Sequence, residues 1–169
     1  MDNSNNNTER NIVKGIDVML EIYENEDELT PSLVFEYLLR YKSLEIFLDV
    51  YESEAFQIEG VNYTEINCFE DKKIYLTNKE HGLLCVDLKK YDYYDFDISL
   101  ENECIQIYME DENKSFVNLQ LIFSLEYVLR SPNEYSKLVK TFNTKTESKD
   151  YMAIPDVSLK RKHNDDNNL

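Results

Sequence analysis

Tryptophan is absent from this chain of 169 residues, histidine occurs only twice, and glycine and proline only three times each. Three glycines cannot build the phosphate-cradling loops of nucleotide enzymes, and neither G-x-x-x-x-G-K-[ST] nor G-x-G-x-x-G is present, which excludes P-loop, kinase and Rossmann chemistry. His81 and His163 are the only imidazole bases. One falls in an expected turn and the other near the C-terminus, so a nucleophile–histidine triad has no support. The three cysteines, Cys68, Cys85 and Cys104, are odd in number and sit in apolar or alternating runs. That pattern predicts reduced, buried thiols rather than a disulfide framework. With His81 they could form a four-ligand zinc set, but the intervening lengths of 12, 3 and 18 residues lack paired C-x-x-C knuckles. Neither metal nor cofactor is expected.

Basic residues are also scarce. Against 34 acids there are 18 bases, for a formal charge of −16. A phosphate backbone binds through Lys and Arg that displace its counterions, so direct nucleic-acid binding is disfavoured. The imbalance is local, with 27 acids and 9 bases in residues 1–113 and 7 acids and 9 bases in residues 114–169. Long apolar runs are missing too. Without a membrane-length segment or the apolar core of a signal peptide, the chain is expected to be intracellular, nuclear or cytoplasmic, with no membrane partner.

The apolar residues that are present cluster between Ile12 and Phe142. This predicts a single domain over residues 9–143, flanked by disordered tails at 1–8 and 144–169. Ile12, Ile16, Met19, Leu20 and Tyr23 recur at helical spacing across a tolerated Gly15. Thr30 followed by Pro31 marks the cap of a second helix. Its apolar positions continue at a period near 3.6 as far as Tyr51, with Lys42 and Ser43 as an optional break. From Phe56 the period becomes two, in short runs joined by links too short for parallel crossovers, and Gly60 is a candidate bulge. The run Phe116 to Phe123 fits a strand or a helix. Ser131-Pro132-Asn133-Glu134 combines an N-cap, a first-turn proline and a capping-box glutamate, which starts a C-terminal helix. The expected fold is therefore α+β: two N-terminal helices, an antiparallel meander of five or six strands, and a C-terminal helix.

Three candidate sites follow. Alternation from Asp92 to Glu101 puts Asp95, Asp97 and Glu101 on one strand face and Tyr94, Phe96, Ile98 and Leu100 on the other. Tyr91 and Tyr93 crowd the same region, so Tyr91, Tyr93, Asp95, Asp97 and Glu101 form a candidate acidic and aromatic binding face for a cationic partner. The same carboxylates could in principle hold a divalent ion, although a solvated strand face explains them more simply. Second, Phe35, Leu39 and Ile46 fall outside the main stripe of the Leu33–Tyr51 segment, predicting a helix face covered by another protein or a second copy. Third, Lys160, Arg161 and Lys162 form a dense basic cluster that fits a nuclear localisation signal. Together these features predict a non-catalytic protein-interaction subunit or adaptor. The alternative is an acidic inhibitor, chaperone or decoy for a basic nucleic-acid-binding protein.

Overall fold

The computed structural model describes residues 11–137 except 71, 79 and 81, without the side chains of 67–70, and the backbone of Met152–Ala153. His81, Lys160, Arg161, Lys162 and both expected tails, apart from residues 152–153, lie outside the described residues. The architecture is mixed helix and sheet, and the sheets are antiparallel apart from one short pairing. In order come β1 (Ile12–Lys14), α1 (Gly15–Glu24), α2 (Pro31–Leu38), β2 (Tyr41–Lys42), β3 (Glu45–Ser53), β4 (Phe56–Tyr63), β5 (Glu65–Glu70) and β6 (Lys73–Asn78). They are followed by β7 (Gly82–Asp87), β8 (Tyr93–Ser99), β9 (Cys104–Glu110), β10 (Phe116–Ile122), β11 (Glu126–Leu129), helical residues 132–137, and β12 (Met152–Ala153).

The strands do not form one meander. A five-stranded sheet has the order β4-β3-β10-β9-β8, a four-stranded sheet the order β12-β7-β6-β5, and a small sheet the order β1-β11-β2. The inner faces of the two larger sheets and the apolar faces of both helices join in one core, built from residues such as Val18, Phe35, Leu48, Ile74, Ile107 and Leu119.

Two helix boundaries differ from the periodicity. Ile12 belongs to a strand, and α1 buries Val18, Met19 and Ile22 while Leu20 and Tyr23 are exposed. The helix begins at Gly15 itself, whose amide donates to the Leu125 carbonyl at 2.8 Å. A methyl group at Gly15 would stand 2.6 Å from that carbonyl oxygen and closer still to that of Phe123. The glycine is thus required, because backbone meets backbone there.

Helix α2 starts as expected, with the Thr30 hydroxyl accepting the Leu33 amide at 3.2 Å. It ends at Leu38, and the segment read as its continuation is the nine-residue strand β3. Ile46, Leu48 and Val50 point inward from β3, while Phe47, Asp49 and Tyr51 occupy the alternate positions. Phe35, Leu39 and Ile46 are 0 %, 3 % and 1 % exposed and lie in the chain's own core, so they form no partner-facing surface. Residues 116–122 resolve as a strand.

Gly60 does sit at a bulge. With φ of +62°, it falls where β3 and β4 shift register between Leu48 and Val50. Its amide donates to Asp49 Oδ1 at 2.6 Å. The Ser131 cap also forms, its hydroxyl accepting the Glu134 amide at 3.1 Å. Met152–Ala153 pairs in parallel with β7, so part of the expected C-terminal tail returns to a sheet.

Replacing Gly15 with alanine should destabilise the fold by about 2–3 kcal/mol, because the added methyl forces two main-chain segments apart. Urea unfolding should show the loss as a lower midpoint at unchanged slope.

Candidate functional site

Strand alternation places one complete set of side chains on the outward face of the five-stranded sheet. The registers of β4, β3, β10, β9 and β8 align them in rows. One row runs Gln57, Tyr51, Phe116, Glu110, Tyr93. The next continues from the bulge at Glu59 and Gly60 through Asp49, Asn118 and Tyr108 to Asp95. A third runs Asn62, Phe47, Gln120, Gln106, Asp97. A hollow of about 620 Å³ lies across these rows, and its charged lining consists of Asp49, Glu59, Asp95 and Asp97.

The aromatic side chains link up across the strands. Tyr51 stacks on Phe116 at 5.8 Å between ring centroids, Phe116 on Tyr108 at 5.6 Å, and Tyr108 meets Tyr93 edge-on at 6.4 Å. This ladder supplies apolar area and directional ring contacts without excluding water from the carboxylates. At its rim the Tyr108 hydroxyl donates to Glu110 Oε2 at 2.5 Å, and Lys114 pairs with Glu110 Oε1 at 3.2 Å. The hydroxyl bond to Glu110 pushes the Tyr108 phenol up to about 12. The same bond, and then Lys114, holds the Glu110 carboxyl below its ordinary value.

Of the residues expected to form a face, Asp95, Asp97 and Tyr93 do so, and Tyr93 is 57 % exposed. Glu101 does not join them. It lies in the turn beyond the end of β8 and does not line the hollow. Tyr91 is buried, only 6 % exposed, with its hydroxyl donating to Glu52 Oε1 at 3.2 Å. Asp49, Tyr51, Glu59, Tyr108 and Phe116 complete the face from strands distant in sequence. The signal for Asp49, Tyr51, Tyr108 and Phe116 was the alternation within EIFLDVY, CIQIYME and FVNLQ, where every second residue of the outward set is polar or aromatic apart from Cys104.

Behind this face lies a buried polar cluster. Glu52 follows Ile46, Leu48 and Val50 in the alternation of β3 and so points inward, where its side chain is fully buried. Lys90 Nζ donates to Glu52 Oε1, and the Ser115 hydroxyl donates to the Glu52 carbonyl at 3.4 Å. Asp111 Oδ1 accepts the amides of Asn113 and Ser115 at 2.9 and 3.0 Å, closing the turn between β9 and β10. Burial first, and the Glu52 charge second, push the Tyr91 phenol upward. Burial and then Glu45 do the same to Tyr127, and burial raises the Cys85 and Cys104 thiols.

Both of those cysteines are free and buried. Among the described residues no three His, Cys, Asp or Glu side chains converge as a metal site would require, and no helix is long and apolar enough to cross a membrane. The outward carboxylates are therefore spread over a face instead of gathered on one point. The chain matches no protein-family model, no curated protein sequence and no solved structure.

Truncating Glu52 to alanine should cost about 3 kcal/mol or more, since it leaves the Lys90 ammonium without its buried carboxylate. Tyr91→Phe, which removes one hydrogen bond, should cost about 1 kcal/mol. Chemical denaturation of both variants at neutral pH checks the ranking.

A pH dependence follows from the raised phenols and thiols. Their protons are held more tightly in the folded chain, so the unfolded chain releases them first as pH rises. Stability should be full below the ordinary thiol value of 9.0 and should fall as pH climbs past the ordinary tyrosine value of 10.0. Unfolding measured from pH 8 to 11 should show this decline, and Tyr91→Phe should make it shallower.

Proposed function

We propose that this chain is a non-catalytic protein-interaction subunit, nuclear or cytoplasmic, that binds a basic protein through the outward face of its five-stranded sheet. The observation that carries the reading is the composition of that face. Four carboxylates line one hollow, an aromatic ladder of Tyr51, Phe116, Tyr108 and Tyr93 crosses it, and no basic side chain is among its lining residues. Packing requirements do not explain such a face, because the core lies on the other side of the same strands.

Electrostatics and aromatic area divide the work. Separated carboxylates attract a cationic partner over a distance set by ionic strength, which raises the association rate more than the final affinity. Tyrosine rings then offer broad contact area at low cost in side-chain entropy, while their hydroxyls keep polar partners. A phosphate backbone would be repelled by the same field.

Core histones, rich in Lys and Arg, are a suitable probe. Binding should weaken by at least about tenfold between roughly 50 and 200 mM salt, as expected where long-range attraction dominates. The combined change Asp49→Asn, Asp95→Asn, Asp97→Asn should slow association about tenfold, whereas each single change should have less than about a twofold effect. Asparagine at 49 retains an oxygen for the Gly60 amide, so the bulge is preserved. Stopped-flow fluorescence reads the rates, and a triple variant that associates as fast as the parent chain would remove the electrostatic basis of this function.

A further inference from the structure

The edges of the two large sheets differ in how they are protected. An exposed edge presents unpaired amides and carbonyls to any extended chain, and folds blunt such edges with bulges, prolines, charged side chains or covering segments. In the five-stranded sheet, edge strand β4 carries two register shifts against β3 and the left-handed Gly60. In the four-stranded sheet, edge strand β5 is interrupted by a shift between Ile66 and Cys68, and the other edge is capped where β12 pairs with β7. The remaining edge is β8. Its seven residues, YYDFDIS, pair with β9 in unbroken register from Tyr93↔Glu110 to Ser99↔Cys104. Neither proline nor lysine occurs in it. Among the described residues no main-chain hydrogen bond joins β8 to any strand but β9.

We propose that β8 is the docking edge, and that the occupant is an extended partner segment alternating basic and apolar residues, which joins the sheet as a sixth strand. The proposal rests on the reading of the acidic face given above and names the shape of what that face binds. Charge determines the chemistry of alternate positions. Asp95 and Asp97 both project from β8 on the outward side and line the hollow, so a strand laid alongside would place every second side chain next to them. Lys or Arg is favoured there. Tyr94, Phe96 and Ile98 project on the opposite side, where Tyr94 is exposed and meets Phe96 edge-on at 5.6 Å. The intervening partner residues would pack on that rim and are best apolar. Main-chain hydrogen bonds would supply affinity, and the alternating side chains specificity.

The same charges argue against a second copy. Two β8 strands pairing antiparallel about Phe96 would set Asp95 of one copy opposite Asp97 of the other, twice over. Like charges directly opposed across a ladder are destabilising. That centred pairing of two copies is therefore disfavoured, whereas the same charges favour a cationic strand.

The test uses the full-length chain and peptides of identical residue content and charge. One alternates arginine and valine, one carries the same residues in blocks, and two are the alternating peptide N-methylated at every second amide, each along a different edge. The alternating peptide should bind at least about tenfold tighter than the block isomer, and N-methylation on one of the two possible edges should remove that advantage. Hydrogen exchange should slow at those amides of residues 95–99 that point away from β9 when the alternating peptide binds.

Equal, salt-sensitive binding of all the peptides would overturn the edge and leave the acidic face standing. Absence of binding at about 50 mM salt would overturn both. Tight alternating-selective binding that is unaffected by Asp95→Asn with Asp97→Asn would keep the edge but refute the role of charge. Slow exchange, in the free chain, of those amides of residues 95–99 that point away from β9 would show the edge already occupied, by the chain's own segments or by a second copy, and would end the proposal.

Discussion

The arrangement of the two large sheets depends on how the Glu52 carboxylate is accommodated. The alternation of β3 puts this side chain in the interior, and an ionised carboxylate there is tolerable only with a partner of opposite charge and hydrogen bonds. Lys90 and Tyr91 supply these at Oε1, while Oε2 is buried without a hydrogen-bond partner among the described residues. They belong to the segment that carries the chain from β7 in one sheet to β8 in the other, while Ser115, bonded to the Glu52 carbonyl, opens β10. Glu52 thereby ties two connections, β7 to β8 and β9 to β10, to the end of β3. A second ion pair works in a similar way, with Arg130 reaching Glu65 at 2.7 Å and the Ile66 carbonyl at 3.1 Å to tie the end of β11 to β5.

These pairings also shape the surface. Lys90, Arg130 and Lys42 are each engaged with a specific carboxylate, Lys42 with Glu134 at 2.9 Å. Bases committed in this way do not neutralise the outward face of the five-stranded sheet, where Asp49, Glu59, Asp95 and Asp97 gather. The strong negative balance of the front of the chain becomes a directed field there. The aromatic ladder lies within that field. Because β8 closes one side of the sheet in regular register, the field, the rings and an open strand edge occur together.

That aromatic ladder is also why β3 escaped recognition. A half-buried strand is legible when its outward residues are polar, but β3 places Phe47 and Tyr51 outward beside Asp49. With apolar side chains on both faces, Leu44, Phe47, Leu48 and Tyr51 satisfy a helical period as readily as Ile46, Leu48 and Val50 satisfy a strand. The surface feature most relevant to binding therefore disguised the element that carries it. Leu20 and Tyr23 misled for a related reason. They fit a helical stripe, but Gly15 fits so closely against Phe123 and Leu125 that α1 turns its Val18, Met19 and Ile22 side to the core instead.

What the sequence determined by itself was local or compositional. The Thr30 and Ser131 caps, the Gly60 bulge, the antiparallel pairing implied by short links, and the alternation that puts Asp95 and Asp97 together all depend on residues within a few positions of each other. Tertiary structure decided everything that required distant segments to meet. It set β10 between β3 and β9, drew Tyr91 inward to Glu52, buried Phe35, Leu39 and Ile46 in the chain's own core, and brought Asp49 and Glu59 opposite Asp95 and Asp97. The reason is physical: periodicity tells which side of a strand a residue takes, whereas which strands become neighbours depends on burying every apolar face and every charged group at once.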